Sequence, residues 1–206
     1  GIPGPKESVA ATKEEAIAYA SEIGFPVVMK INSPDIQHKT ECGGVVVGIH
    51  NEQEVMKAFD QIIASVRSHK PDATIEGVIV QEMISSASVE VILGIINDQT
   101  YGPAIVYGSG GILVELMKDS ALAIPPLSRE EASELVNKTQ GSKLLKGFRG
   151  KPKADIDALL DSIVNLSYLA KDFENEIAAM DINPLMVLPE GKGVRAVDVL
   201  IERKIR

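Results

Sequence analysis

Apolar positions recur along this chain at two spacings. Four stretches carry the helical spacing behind a capping residue. Thr12 stands before Lys13-Glu14-Glu15, a capping-box pattern, and Gly24 with Pro26 stops that helix. Asn51 with Glu54 opens a second, whose Val55, Phe59, Ile62, Ile63 and Val66 fall on one stripe. Ser128 with Glu131 opens a third. Asp155 opens a fourth, with Ile156, Leu159, Leu160, Ile163, Leu166 and Leu169 on the buried face. Between them lie short apolar or alternating runs bounded by Gly, Pro and Asn. They predict strands at 26–31, 44–49, 77–84, 89–96 and 103–108, and the chain closes with two more, 179–188 and 194–201. This order predicts an α+β fold with antiparallel or mixed sheets in two lobes. Small polar residues near 83–88 mark the boundary, giving lobes at 1–82 and 83–206.

Composition narrows the partners. A chain of 206 residues with 45% apolar and 24% charged residues is ordinary for a globular protein. A net charge of −8 with no long basic run argues against nucleic acid or an anionic membrane as the main partner, although a small anion can still bind a local basic pocket. The single cysteine, Cys42, allows no internal disulfide and fits a reducing, cytoplasmic setting. No apolar stretch approaches the roughly 20 residues that span a bilayer. The start, "GIPGPKESV", lacks an initiator methionine and reads as a cut from a longer chain.

The chemistry begins at the C-terminal end. "MDINPLMVLPEGKGVRAVDVL" reads as a hairpin turning at 189–193. Pairing centred between Glu190 and Gly191 puts Asn183 directly opposite Asp198. Asp181, two residues before Asn183, shares that face. Three oxygen-bearing side chains on one patch suit Mg²⁺, which takes few protein ligands beside phosphate oxygens. They equally suit the solvent side of an amphipathic hairpin.

Lys30 ends the apolar run "FPVVMKI", and a charge there needs a partner such as a nucleotide phosphate. The pattern alone favours a lysine reaching solvent from an edge strand. "YGSGGILVELMKD" is glycine-rich enough for backbone N–H groups to approach phosphate, and equally suits a structural turn. It holds Glu115 inside an apolar run. Gln81-Glu82 is a polar pair at a strand end, where a hinge could line a cleft.

"NSPDIQHKTECGG" carries His38 on a loop between Pro34, which disfavours helix at Asn32-Ser33, and Gly43-Gly44. A neutral imidazole is a usable nucleophile near pH 7. Attack on a phosphoryl group gives a phosphoramidate that can pass its phosphate onward. Asp35 or Glu41 could orient the ring, and Lys39 could offset phosphate charge. A surface-loop histidine with no role fits the same pattern. His50 and His69 read as helix-flanking residues, and Cys42 as structural.

In this order the segments "KINSPDIQHKTECGGVVVGI", "VEVILGIINDQTYGPAIVYGSGGILVELMKD", "LLKGFRGKPKADIDAL" and "MDINPLMV" resemble the ATP-grasp domain of the NDP-forming acyl-CoA synthetases. That is the family of ADP-forming acetyl-CoA synthetase, related to succinyl-CoA synthetase. The resemblance covers nearly the whole chain. It implies a two-lobed ATP-grasp fold with nucleotide between the lobes. It implies that His38 carries phosphate to or from ATP/ADP, that Lys30 contacts nucleotide phosphates, and that Gln81, Glu82, Met83 and Ile84 receive adenine. Asn183 and Asp198 match the Mg²⁺ ligands, with Asp181 beside them, and Glu115 falls near the phosphates.

The function so implied is a phosphotransfer module of an acid–thiol ligase. The module would need CoA-binding and ligase domains, carried by an alpha subunit or by the N-terminal part of a longer chain, and would meet acyl-CoA and acyl phosphate only through them. Two departures stand out: Thr40-Glu41 where the family often has Ser-Asp, and Ala123 where many members have arginine. Two alternatives remain open: a regulatory module fused to an acetyltransferase, and a ligase that transfers phosphate directly to a carboxylate.

Overall fold

The Oγ of Thr12 accepts the N–H of Glu15 at 3.2 Å and starts α1 (Lys13–Ile23). Glu15 completes the cap one residue further out than a reciprocal box, its carboxylate accepting the Ala11 N–H at 2.7 Å. Gly24, at φ 94°, ends the helix, and its N–H donates to Ala20 O at 2.9 Å. Asn51 caps α2 (Glu52–His69) in the same way, accepting the Glu54 N–H at 3.0 Å. Ser128 and Glu131 form a full capping box at α3 (Arg129–Asn137). A four-residue helix α4 (Ser142–Leu145) follows, and Asp155 caps α5 (Ile156–Asp172).

The computed structural model describes residues 1–36, 38–98, 100–111 and 118–204. The chain divides into two compact units, Pro5–Ile84 and Gly1–Gly4 with Ser85–Arg206. The Ala196 N–H donates to Pro3 O at 2.9 Å within the latter.

The Pro5–Ile84 unit holds an antiparallel sheet of β1 (Glu7–Ala10), β2 (Val27–Asn32), β3 (Val45–Ile49) and β4 (Gly77–Glu82) in the order β1-β4-β2-β3. Helices α1 and α2 pack on it. Met29, Ile31, Val78 and Val80 from the strands meet Ala16, Ala20, Val55, Phe59, Ile62 and Val66 from the helices in one core. Strand β1 is not visible as a pattern, because "ESVA" is too short and mixed to make an apolar run.

The second unit is built on β5 (Val89–Asp98), β6 (Gly102–Ser109), β7 (Ser120–Ala123), β8 (Ile177–Val187), β9 (Val194–Ala196) and β10 (Val199–Arg203). Their order is β10-β8-β5-β6-β7, with β9 also paired to β8. One face of β5 buries Val89, Val91, Leu93 and Ile95 against α3 and α5 residues such as Leu135, Leu159 and Ile163. The α+β class and the antiparallel sheets match the sequence pattern. No described helix is long and apolar enough to cross a membrane.

Candidate functional site

The C-terminal ribbon sets out its polar residues by register. Leu185 pairs with Ala196, Val187 with Val194 and Ile182 with Val199. The Asn183 N–H donates to Asp198 O at 3.0 Å, and Val197 N–H to Pro184 O at 3.1 Å. The turn closes through Lys192 N–H to Pro189 O at 2.9 Å, with Gly191 at φ 78° and Gly193 at φ 81°. This is the register expected from the sequence, so Asn183 stands opposite Asp198.

A bulge adds what the pattern lacked. Pairing of β5 with β8 shifts between Val91 and Leu93, so Asn183 and Pro184 together face Ile92. Ile182 and Leu185, three apart, therefore both enter the core at 1% and 0% exposure. Asp181 and Asn183 stay on the solvent side. The three polar side chains come together there. Partial desolvation raises the Asp181 carboxyl above its ordinary value, an Asn183 side-chain hydrogen bond opposes this, and the Asp198 charge pushes it further up. Among the described residues no group of three His, Cys, Asp or Glu forms a metal cluster. The set here is two carboxylates and an amide. Two carboxylates with an amide oxygen beside them fit a hard divalent cation.

Lys30 lies on β2, between β3 and β4, opposite Val45 and Ile79. It alternates with the core residues Met29 and Ile31 and so points away from the helices. It is 8% exposed. The solvent-reaching edge lysine favoured by pattern is therefore incorrect: β2 is an interior strand, flanked by β3 on one side and β4 on the other. Gln81, opposite Val28, is buried and donates to the Glu7 carboxylate at 2.6 Å. Glu82 N–H donates to Lys6 O at 2.8 Å and its carboxylate accepts the Lys6 N–H at 3.3 Å. Met83 N–H reaches Pro26 O at 3.3 Å, and Ile84 follows half-buried. The segment is thus held on both sides by backbone of its own unit.

His38 is exposed. Its loop is closed at the base, with Gly44 N–H donating to Lys39 O and Ile31 N–H to Gly44 O, both at 2.8 Å. Cys42 is buried and its thiol donates to Lys39 O, in the structural part expected of it. The loop borders an open depression of about 460 Å³ lined by Asp35, Ile36, His38, Glu41, His69 and Lys70. Asp35 is fixed by the Thr74 N–H at 2.7 Å, and Lys70 Nζ donates to Asp35 O at 3.2 Å. The Thr74 backbone bond, reinforced by the Thr74 side chain and the Lys70 charge, holds the Asp35 carboxyl below its ordinary value. His69 and Lys70 had no signal in the sequence, because they join the loop only through the end of α2.

Glu115 lies outside the described residues. The glycine stretch around it starts and ends on a knot that the sequence did not suggest. The Asp119 carboxylate accepts Ser109 Oγ–H and the N–H groups of Gln140 and Gly141, the last two at 2.8 Å. Burial raises the Asp119 carboxyl, and these bonds outweigh it, leaving it below its ordinary value. Beneath it Tyr107 is fully buried, and burial with the Asp119 charge pushes its phenol upward against a Thr139 hydrogen bond.

Residues 1–202 match the ATP-grasp domain model, so the chain belongs to the ATP-grasp family. The beta subunit of ADP-forming acetate–CoA ligase I from Pyrococcus furiosus is 43% identical over 90% of this chain and 79% of that subunit. A Ca. Korarchaeum cryptofilum acetyl-coenzyme A synthetase 1, solved with coenzyme A and Ca-AMPCP, superposes with a TM-score of 0.93 at 40% identity, over 99% of this chain and 87% of that chain. Another form of that synthetase, solved with coenzyme A and Mg-AMPPCP, has its phosphohistidine segment pointing towards the nucleotide site. It matches with a TM-score of 0.82 at 36% identity, over 99% of this chain and 86% of that chain. Within the ATP-grasp family this chain belongs with the ATP-grasp subunits and domains of the ADP-forming acyl-CoA synthetases, and the relatives so named are acid–thiol ligases. The regulatory alternative is not favoured by these relatives.

Proposed function

We propose that this module relays a phosphoryl group between ATP/ADP and His38, as one half of the reaction acyl-CoA + ADP + phosphate ⇌ acid + CoA + ATP. The lobes at 1–82 and 83–206 divide the task. The first holds His38, Lys30 and the start of the adenine segment, Gln81-Glu82, and the second its end, Met83-Ile84, with the metal ribbon and Glu115. The observation that carries this reading is His38 itself: exposed, at the rim of a depression, on a loop whose base is hydrogen-bonded shut.

In the ATP direction an imidazole nitrogen of His38 forms a bond to the γ-phosphorus as the bond to the β,γ-bridging oxygen breaks, and ADP leaves with that electron pair. Lys30 offsets the charge spread over the phosphoryl oxygens. Asn183, Asp198 and Asp181 would hold Mg²⁺, which when bound supplies charge neutralisation at the phosphates. Asp35, fixed by Thr74, anchors the start of the loop. Phosphohistidine then passes its group to the CoA-binding part of the ligase, where acyl phosphate forms. That part sits on a partner subunit or elsewhere in a longer chain, and the enzyme works in the cytoplasm. A loop relay suits two sites too far apart for direct transfer, with pivots at Pro34 and Gly43-Gly44.

Incubation with γ-labelled ATP and Mg²⁺ tests the relay. Acid-labile, base-stable label on the protein, absent in His38→Asn, is the expected outcome. Label that persists in His38→Asn rejects His38 as the carrier, and no label with the partner present favours direct transfer.

A further inference from the structure

Residues 143–153 take no part in the chemistry above. They read Lys-Leu-Leu-Lys-Gly-Phe-Arg-Gly-Lys-Pro-Lys, five cations without an acid, in a chain of net charge −8. Lys143, Lys146, Arg149, Lys151 and Lys153 are all exposed. Among the described residues none of the five is in an ion pair. Asp155, Asp157 and Glu190 line a depression together with Lys146 and Lys153, but Asp155 accepts the N–H groups of Ala158 and Gly193, and Asp157 pairs with Arg129.

The backbone of this segment folds into a hydrogen-bonded knuckle. Gly147 N–H donates to Leu144 O at 3.1 Å and Ala154 N–H to Leu145 O at 2.9 Å, with Leu145 packed in the core. At the tip Lys151 N–H closes a turn on Phe148 O at 3.1 Å. Arg149 sits at φ 48°, between Gly147 at φ 88° and Gly150 at φ 82°. A left-handed arginine is strained where glycine would be free of strain. Such strain persists where the side chain has a use. The Arg149 guanidinium stands 5.3 Å from the centre of the Phe148 ring, and Phe148 is 52% exposed. An unpaired arginine stacked on an exposed aromatic, on a hydrogen-bonded base, has the composition of an interface hot spot, with cations beside it that steer an acidic surface.

We propose that this knuckle is a docking surface for an acidic segment on the CoA-binding part of the ligase, anchored by Phe148 and Arg149. It rests on the ligase reading above, since the Pyrococcus furiosus relative is one subunit of its enzyme. A short acidic segment fits better than a nucleic acid, because a long polyanion would run off the knuckle onto a chain that is acidic overall.

The test is a calorimetric titration of this chain with the CoA-binding part of the same enzyme, at low and high salt. The double reversal Lys146→Glu/Arg149→Glu is expected to raise Kd about tenfold or more and to remove most of its salt dependence. Phe148→Ser is expected to raise Kd about tenfold without changing the salt dependence. Both variants keep the wild-type Tm and the ATP-dependent labelling of His38. A wild-type Kd in the double reversal overturns the proposal. So does a wild-type pair that does not bind, or a loss confined to RNA or anionic vesicles. Failure of the wild type to take label from ATP strikes the phosphohistidine relay instead, and leaves the titration to judge the surface.

Discussion

The backbone N–H of Asn183 donates to the carbonyl of Asp198 at 3.0 Å, across the ribbon that closes the chain. One backbone bond thus sets an amide and a carboxylate side by side, and the bulge at Asn183-Pro184 turns both Asn183 and Asp181 away from the core. The bond belongs to the main chain, so changing the Asp198 side chain leaves the ribbon intact.

Asp198→Asn is therefore expected to fold with stability within about 0.5 kcal/mol of wild type. The Mg²⁺ concentration needed for labelling from ATP is expected to rise about 10–100-fold. Urea unfolding and a Mg²⁺ titration of labelling read the two effects separately. An unchanged Mg²⁺ requirement would remove Asp198 from the ligand set.

Lys30 stands on an interior strand, nearly buried, on the sheet face away from the helices. Lys30→Met keeps the aliphatic stem and loses the charge. A charge-assisted bond to phosphate is worth about 1.5–3 kcal/mol, so nucleotide affinity should fall roughly 10–150-fold while the far-ultraviolet spectrum stays unchanged. Equal ATP affinity in both proteins would leave Lys30 a structural residue.

Gly44 has no room for a side chain. A Cβ there would lie 2.7 Å from Ile31 Cγ2 and 2.9 Å from Lys39 O. Gly44→Ala should cost about 1–3 kcal/mol in chemical unfolding, because the atoms in the way include loop backbone. Gly102→Ala, where nothing lies within 4 Å but φ is +79°, separates crowding from backbone strain.

The Asp35 carboxyl is held below its ordinary value of 3.8, chiefly by the Thr74 N–H. A lowered folded-state pKa gives stability that is present above the unfolded value and lost as pH falls through the folded one. Asp35→Asn can still accept the Thr74 bond but carries no charge. Wild type should thus exceed the variant in Tm at neutral pH, and the gap should close as pH falls below 3.8. A gap that widens in acid would contradict this.

Much of this architecture was legible in the chain. Thr12, Asn51, Ser128 and Asp155 all cap the helices they were expected to start, because a capping oxygen and its N–H partner are three residues apart. The ribbon register was legible too, since a short turn ties the two strands to a single pairing. Lys30 was misjudged as an edge residue because β2 gains its second neighbour only when Lys30 meets Ile79 on β4, a pairing distant in sequence with no local trace. His69 and Lys70 beside His38, and Asp119 clamped to Gln140 and Gly141, escaped for the same reason.

The central claim is that His38 is the phosphoryl carrier. The most direct measurement is mass-spectrometric mapping of the protein after a single turnover with Mg·ATP, quenched in base, before and after an ADP chase. The account predicts a phosphoryl group on the peptide holding His38, discharged by ADP with formation of ATP. Full ATP-dependent ligation in the assembled enzyme with His38 unmodified would contradict it.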